Sequence, residues 1–246
     1  MITNELMLVL TLIAEYAGVA LIYLLFRRSG LYLWTVVATI AANIEVLILV
    51  KAFGTEMTLG NIIFATTFLV TDVLSELHGK EAAQKAVKMG ITASIIFTMI
   101  SSSWLLYGPS PNDFVFPSIK TIFSNTPRIV LASMAVYAVV QFFDVWLYHK
   151  WWAFTDKKTG DHDRFLWLRN NGSTLISQLL NAILYPIFAF AGTYEWPTIV
   201  SIIVSGYVIF IVTSLLDTPF IYLCRRIGRK YGTERGLLES RKREAA

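Results

Sequence analysis

The sequence is poor in the residues from which many soluble active sites are built. It has one cysteine, Cys224, and three histidines among 246 residues. A single cysteine excludes an internal disulfide and a cysteine-built zinc site. His78, His149 and His162 fall at or beyond the ends of apolar stretches, which argues against a haem or metal centre within them. The sequence also lacks a G-x-x-x-x-G-K-[ST] motif, so the chain does not hydrolyse ATP through a P-loop. We expect no cofactor.

Charge is scarce as well, because 15% of the residues are charged and 55% are hydrophobic. Strand-like alternation is absent and the apolar runs are long, so the sequence predicts an all-α polytopic membrane protein rather than a transmembrane barrel. We expect one integral membrane domain over 1–246, in which 1–26 forms an additional, retained N-terminal helix. Seven apolar stretches are predicted as spans: 6–26, 31–53, 59–77, 86–107, 127–148, 173–194 and 198–224.

The 21 lysines and arginines lie mostly just beyond the ends of these stretches. This distribution indicates the positive-inside pattern rather than a nucleic-acid partner. With seven spans, Lys51, Lys120 and Arg128 are the only lysines and arginines on the outer side of the membrane. The C-terminus with its basic tail, 225–246, is then cytoplasmic. A second topology stays open, with six spans and 59–77 re-entrant. We expect the protein to lie in the cell inner membrane, with the lipid bilayer as a partner. Whether it forms a homo-oligomer also stays open.

Polar residues inside the spans are the candidate functional residues, because a carboxylate in lipid is costly and by default marks a pathway or binding site. Asp72, Asp144 and Asp217 precede the first basic residue of their helices by similar lengths, and Asn181 lies about as far from Ser173. At about 1.5 Å per residue, they share a layer on the order of 10 Å deep. Further candidates are Asn43, Glu76, Gln141 and Gln178. Alternatively, these groups tie the helices together, and Glu76 snorkels to the membrane surface.

Three segments around these residues resemble the queuosine precursor transporter family. They are FLVTDVLSELHGK around Asp72, VVQFFDVWLYHK with Gln141 and Asp144, and RNNGSTLISQLLNA from Arg169 to Ala182. The resemblance covers roughly 31–224, which we take as the transport core. It implies import of 7-deazaguanine bases, such as 7-cyano- or 7-aminomethyl-7-deazaguanine, for tRNA modification.

The polar residues suit such a small-molecule substrate. A guanine-like edge offers an N–H and an amino group side by side, which one carboxylate accepts together, and amides such as Gln141 both donate and accept. A planar base also stacks on aromatic rings, and the candidates near the aspartates are Phe68, Phe142, Phe143 and Trp146. Aromatics at helical spacing are more often lipid-facing or core.

Two other functions are weighed. The chain is alternatively the substrate-binding membrane subunit of an energy-coupling-factor-type vitamin importer, with Ala38 and Ala42 as a small-residue docking pair. A third hypothesis is an intramembrane aspartyl hydrolase using two of the three aspartates. It is the weakest, since no G-x-G-D-type motif accompanies any of them.

Overall fold

A computed structural model describes residues 3–124, 127–159, 165–192 and 194–230, without the side chains of 55, 56, 124, 127–130 and 159. Its elements in chain order are α1 Asn4–Glu45, β1 Leu49–Ala52, β2 Thr55–Thr58, α2 Gly60–His78, α3 Lys80–Trp104, α4 Phe116–Ser124, α5 Pro127–Thr159, α6 Leu166–Phe190 and α7 Trp196–Lys230. Six of these helices, all but α4, are long and apolar enough to cross a membrane. The predicted polytopic helical membrane protein is confirmed.

Helix α1 consists of two antiparallel arms. Arg27 interrupts it with φ 53° and ψ −137°. A Cβ on Gly18 would lie 2.8 Å from the ring of Trp34, so the two arms pack against each other. The side chain of Asn4 also donates to the carbonyl oxygen of Lys51 at 2.9 Å, which a straight helix about 63 Å long would not allow. Because the first of the six helices turns back on itself, the chain passes seven times between the two ends of the bundle.

The reversal between the predicted spans 6–26 and 31–53 therefore lies at Arg27, and Gly30 allows the close approach of the arms. A Cβ on Gly30 would stand against the carbonyl oxygen of Ile22.

We predict that Gly30→Ala lowers the free energy of unfolding by about 1–3 kcal/mol, because an added methyl group overpacks the contact between the arms. Thermal unfolding of the purified protein measures it. The control Gly206→Ala, whose Cβ would meet nothing within 4 Å, should raise the stability by up to about 1 kcal/mol. Equal shifts in both variants would contradict this packing.

A two-stranded hairpin replaces the end of the second predicted span. Helix α1 ends at Glu45, and β1 then pairs antiparallel with β2. The two-residue turn has positive φ at both Phe53 and Gly54, as the favoured hairpin turns require. The prediction of a span over 31–53 is wrong in its last part, because the turn geometry and strand pairing override the continuous apolar run.

The segment between the predicted spans 86–107 and 127–148 contains helix α4. The backbone N–H groups of Val115 and Phe116 donate to the side chain of Asp113 at 2.7 and 2.8 Å, which satisfies donors that the first turn leaves free. Pro117 lies in that first turn, where a missing N–H costs little. The proline therefore begins a helix here rather than preventing one.

Helices α5, α6 and α7 are longer than their apolar runs. Because α5 continues to Thr159 and α6 begins at Leu166, most of the stretch between the predicted spans 127–148 and 173–194 is helical. Trp152, in the added part of α5, is buried. Helix α7 includes Arg225, which was assigned to the tail. The remaining tail, 231–246, lies outside the described residues.

Helix α2 is the centre of the bundle, and almost every residue along it is buried. Near its start, Ile62 lines a groove with Leu8 and Pro197, beside the strands; we call this the hairpin end. At the other end, the ring nitrogen Nε2 of His78 lies 3.3 Å from the hydroxyl of Tyr23. This basic end carries the exposed side chains of Arg28, Lys80, Lys150 and Arg226. Helix α2 thus runs between both ends, as the seven-span topology requires.

Candidate functional site

Three aspartates from three helices meet inside the bundle. Asp72 of α2, Asp144 of α5 and Asp217 of α7 are all buried, each at most 1% exposed. Asp144 and Asp217 both act electrostatically on Asp72, so the helices bring the carboxyl groups near one another. We call these residues the aspartate cluster. These three residues were predicted to lie at the same depth, and the structure places them near one another.

Helix α6 supplies hydrogen-bond donors to the aspartate cluster. The hydroxyl of Thr174 donates to Oδ2 of Asp72 at 3.0 Å, and the amide of Asn170 donates to Oδ1 of Asp217 at 2.6 Å. The hydroxyls of Ser173 and Ser177 lie on the side of α6 towards Asp144 but donate to carbonyl oxygens of α6 itself. Sequence reasoning missed these four residues as site residues, because it began the helix at Ser173. Their spacing along α6 is helical and would have shown one polar face.

The cluster has more hydrogen-bond acceptors than donors. Among the described residues, Asp72 Oδ1, both carboxyl oxygens of Asp144, Asn170 Oδ1 and Gln178 Oε1 are buried without a hydrogen bond. Buried polar atoms are nearly always hydrogen-bonded in folded proteins, so such a group of unsatisfied acceptors calls for an explanation. Carboxylate and amide oxygens accept hydrogen bonds from N–H groups. The arrangement therefore suits a ligand that offers several N–H donors.

Gln141 lies one helical turn from Asp144, as predicted, but α2 occupies its amide. Its Nε2 donates to the hydroxyl of Thr67 at 2.6 Å, and the hydroxyl of Thr71 donates to its Oε1 at 3.3 Å. These bonds join α5 to α2 beside the cluster. A direct role of Gln141 in binding a substrate stays a prediction.

Glu76 is held in a buried ion pair on the basic-end side of Asp72. Its carboxylate lies 3.0 Å from Arg169 and 3.6 Å from Arg225, and it accepts a hydrogen bond from Tyr148 at 2.8 Å. We call these four residues the glutamate cluster; they come from α2, α6, α7 and α5. The guanidinium of Arg169 also lies 4.5 Å from the ring centre of Trp152.

The prediction that Glu76 snorkels is wrong, because its side chain is buried among these partners. Arg225, which was assigned to the cytoplasmic tail, and Arg169 are buried as well. A buried charge is stable only when it is paired. The carboxylate of Glu76 provides that pairing, so two arginines just outside the apolar runs lie inside the protein.

Two predicted residues lie away from the aspartate cluster. The amide of Asn43 donates to the hydroxyl of Ser94 at 3.2 Å, between α1 and α3. Asn181 lines a small pocket on the hairpin-end side. Asp72 and Asp217 accept hydrogen bonds from Thr174 and Asn170 of α6. Asn181 lies about two helical turns beyond Thr174, towards the hairpin end, so its predicted equal depth is wrong.

The candidate stacking residues fall in different environments. Phe68 is buried one turn before Asp72 and packs on Phe64, with ring centres 5.4 Å apart. Phe143 and Trp146 stack on each other at 5.7 Å, and Trp146 is 45% exposed on the outside of the bundle. Phe142 packs against the apolar core. Stacking of a ligand on any of the four stays a prediction.

The aspartate cluster is not built like a metal site. In the part of the chain that the structure describes, no three His, Cys, Asp or Glu side chains converge as metal ligands would. Its carboxyl groups come from separate helices and are interleaved with hydroxyl and amide groups of α6. This mixture is typical of a site that binds an organic molecule by hydrogen bonds.

Known proteins resemble this chain over most of its length. Residues 58–224 match the family model described as "Putative vitamin uptake transporter". A "Probable queuosine precursor transporter" of Bacillus subtilis (strain 168) is 34% identical over 215 residues, which cover 87% of this chain and 92% of that protein. No solved structure matches the chain. The matched residues include the whole aspartate cluster and most of the glutamate cluster.

Proposed function

The chain belongs to this vitamin uptake transporter family, and from that premise we propose that it imports queuosine precursors, 7-deazaguanine bases, across the cell inner membrane. Its role as a multi-pass membrane transporter, rather than an enzyme, follows from the family and from the named relative. The intramembrane aspartyl hydrolase hypothesis is therefore set aside. The substrate proposed here extends to this chain what the relative's name says of that protein.

The proposal rests on Asp144, whose two carboxyl oxygens are buried and have no hydrogen bond to any residue that the structure describes. A guanine-like edge presents an N–H and an amino group side by side, and one carboxylate accepts both. Further unsatisfied acceptors at Asp72, Asn170 and Gln178 fit the other N–H groups of such a base. The hydroxyl groups of Ser173 and Ser177 donate to carbonyl oxygens of α6, so their oxygens add further acceptors for such N–H groups.

The direction of transport in the proposal depends on which end of the bundle faces the cytoplasm. The exposed cations of the basic end favour the cytoplasmic side by the positive-inside rule. The hairpin end then faces outward, and the aspartate cluster lies between the two ends, nearer the basic end. The glutamate cluster lies between the aspartates and the cytoplasmic side.

The alternative of a vitamin importer subunit has less support from the structure. Ala38, one of the two small residues considered for docking a partner, is 1% exposed within the bundle. A surface that is already covered by the chain's own helices is not available for an ATPase module. Copurification of an ATPase from native membranes would nonetheless favour this alternative.

Uptake in cells that cannot make the precursor tests the proposed function. We expect cells carrying the gene to accumulate labelled 7-cyano-7-deazaguanine and to modify their tRNA, and cells without it to do neither. Excess unlabelled 7-aminomethyl-7-deazaguanine should compete, and an unrelated vitamin should not. Absence of uptake while the protein is present in the membrane would overturn the proposed substrate.

A further inference from the structure

A small pocket lined by apolar and uncharged polar residues lies on the hairpin-end side of the aspartate cluster. It is enclosed by β2, the start of α2, the middle of α6 and α7, and its lining includes Asn61, Asn181, Tyr185 and Gly206. All of its lining residues are uncharged. We call it the hairpin-end pocket. Such a lining favours an uncharged ligand over an ion.

Several polar groups of this pocket are available for hydrogen bonds to a ligand. The hydroxyl of Tyr185 is buried without a hydrogen bond among the described residues. Pro186 has no N–H, so it cannot make the usual helical bond to the carbonyl oxygen of Ala182, which also lines the pocket. A phenol, a carbonyl oxygen and the amide of Asn181 therefore offer both donors and acceptors at one place.

Aromatic rings form the other part of the lining. The rings of Tyr185 and Phe190 meet edge to face with centres 5.8 Å apart, and Phe210 lines the pocket from α7. Aromatic faces bind planar ligands by offset stacking and edge contacts. The combination of rings, an amide and a phenol is what a small planar heteroaromatic molecule needs for recognition.

A polar face of α6 connects this pocket to the aspartate cluster. Asn181, Gln178 and Thr174 follow one another at helical spacing, so their side chains lie along one side of α6. Gln178 has an unsatisfied carbonyl oxygen, and Thr174 donates to Asp72 at 3.0 Å. The distance along the helix from Asn181 to Thr174 is roughly 10 Å. Polar groups thus extend without interruption from the pocket to the aspartates.

We propose that the hairpin-end pocket is a separate binding subsite, which an uncharged planar heteroaromatic base occupies on the outward side before it reaches the aspartate cluster. The subsite rests on the proposed function, since its ligand is the transported base. It differs from the aspartate site in chemistry, because it offers balanced donors and acceptors with aromatic walls rather than carboxylates.

Cysteine protection tests the subsite. A Cβ on Gly206 would meet nothing within 4 Å, so Gly206→Cys places a thiol in the pocket without displacing neighbours. The native Cys224 is buried, and the unaltered protein gives the background. We expect a membrane-impermeant maleimide to label Gly206→Cys in intact cells, and excess 7-cyano-7-deazaguanine to slow this labelling. Adding Tyr185→Phe should raise the half-protecting concentration roughly 2- to 12-fold, as expected for one lost hydrogen bond.

Matched variants control for position and side. Lys51→Cys, exposed at the hairpin end but outside the pocket, should be labelled at a rate that the base does not change. Lys80→Cys, exposed at the basic end, should be labelled only after the membrane is permeabilised. Ser205→Cys, which also lines the pocket, replaces Gly206→Cys if that variant does not reach the membrane.

Uptake measured in the same cells separates the two proposals. Uptake without protection, or without labelling from outside, overturns the subsite and leaves the proposed function standing. Protection without uptake supports the subsite and overturns import. If neither occurs, both are overturned.

Discussion

Replacing Asp144 with asparagine is expected to abolish most of the uptake of a 7-deazaguanine base while leaving the fold intact. The side chain keeps its size, but one of its two acceptors becomes a donor, so the paired N–H groups of the base meet a mismatch. Leaving such donors unpaired costs roughly 1–3 kcal/mol, which corresponds to about a 5- to 150-fold loss of affinity. Both oxygens of Asp144 lack protein partners among the described residues, so no internal hydrogen bond is lost. Binding titration and initial uptake rates measure the effect.

Two variants control this experiment. Glu15→Gln changes a half-buried carboxyl group of α1, away from the cluster, and should be close to neutral for uptake. Asp217→Asn changes a carboxyl group that accepts a hydrogen bond from Asn170, so it should also lower thermal stability. Native uptake by a well-expressed Asp144→Asn, with loss of uptake in Glu15→Gln, would exclude the aspartate cluster as the substrate site.

Glu76→Gln is expected to destabilise the protein more than any other single polar substitution considered. It removes the negative charge that faces the buried Arg169 and Arg225. Removing one partner of a buried ion pair typically costs about 3–5 kcal/mol, because the other charge stays in a poorly solvating environment. The midpoint of thermal or denaturant unfolding in detergent should fall accordingly.

The exposed Glu81 at the start of α3 provides the matched control. Glu81→Gln makes the same chemical change at the same end of the bundle and should stay within about 0.5 kcal/mol of the parent. The double variant Glu76→Gln/Arg169→Met should recover part of the loss, because one uncompensated charge is removed with its partner. Similar unfolding midpoints for Glu76→Gln and Glu81→Gln would show that the ion pair contributes no stability.

The membrane class and the three aspartates could be predicted from the sequence because both depend on local patterns. Long apolar runs indicate which helices are surrounded by lipid, and the distance from Asp72 or Asp144 to the next exposed cation, Lys80 or Lys150, indicates depth. Asn181 was misplaced because its depth was counted from Ser173, whereas the aspartates bond to Asn170 and Thr174, near the start of α6. An apolar run marks the part of a helix that contacts lipid, not its hydrogen-bonded length.

The glutamate cluster could not be predicted because its members are far apart in sequence. A cation just past an apolar run is usually a solvated anchor, and that rule fails for Arg169 and Arg225, which lie near Glu76 in the folded bundle. The hairpin at 49–58 was missed for a different reason. Its first strand follows an apolar helix after a short connection, and the apolar residues of 49–53 were counted as part of the same span. The turn at Gly54 marks the change.

Because the other helices enclose α2, its side chains are surrounded by protein rather than by lipid. Its polar side chains face partners from other helices: Thr66 accepts from Trp34 at 2.8 Å, and Asp72 accepts from Thr174. The other helices, whose outer faces are exposed and apolar, separate it from the acyl chains. Substitutions in α2 should therefore follow the rules of a soluble protein's interior, where volume and hydrogen-bond partners decide the outcome. Hydrophobicity scales made for lipid-facing helices would misjudge this helix.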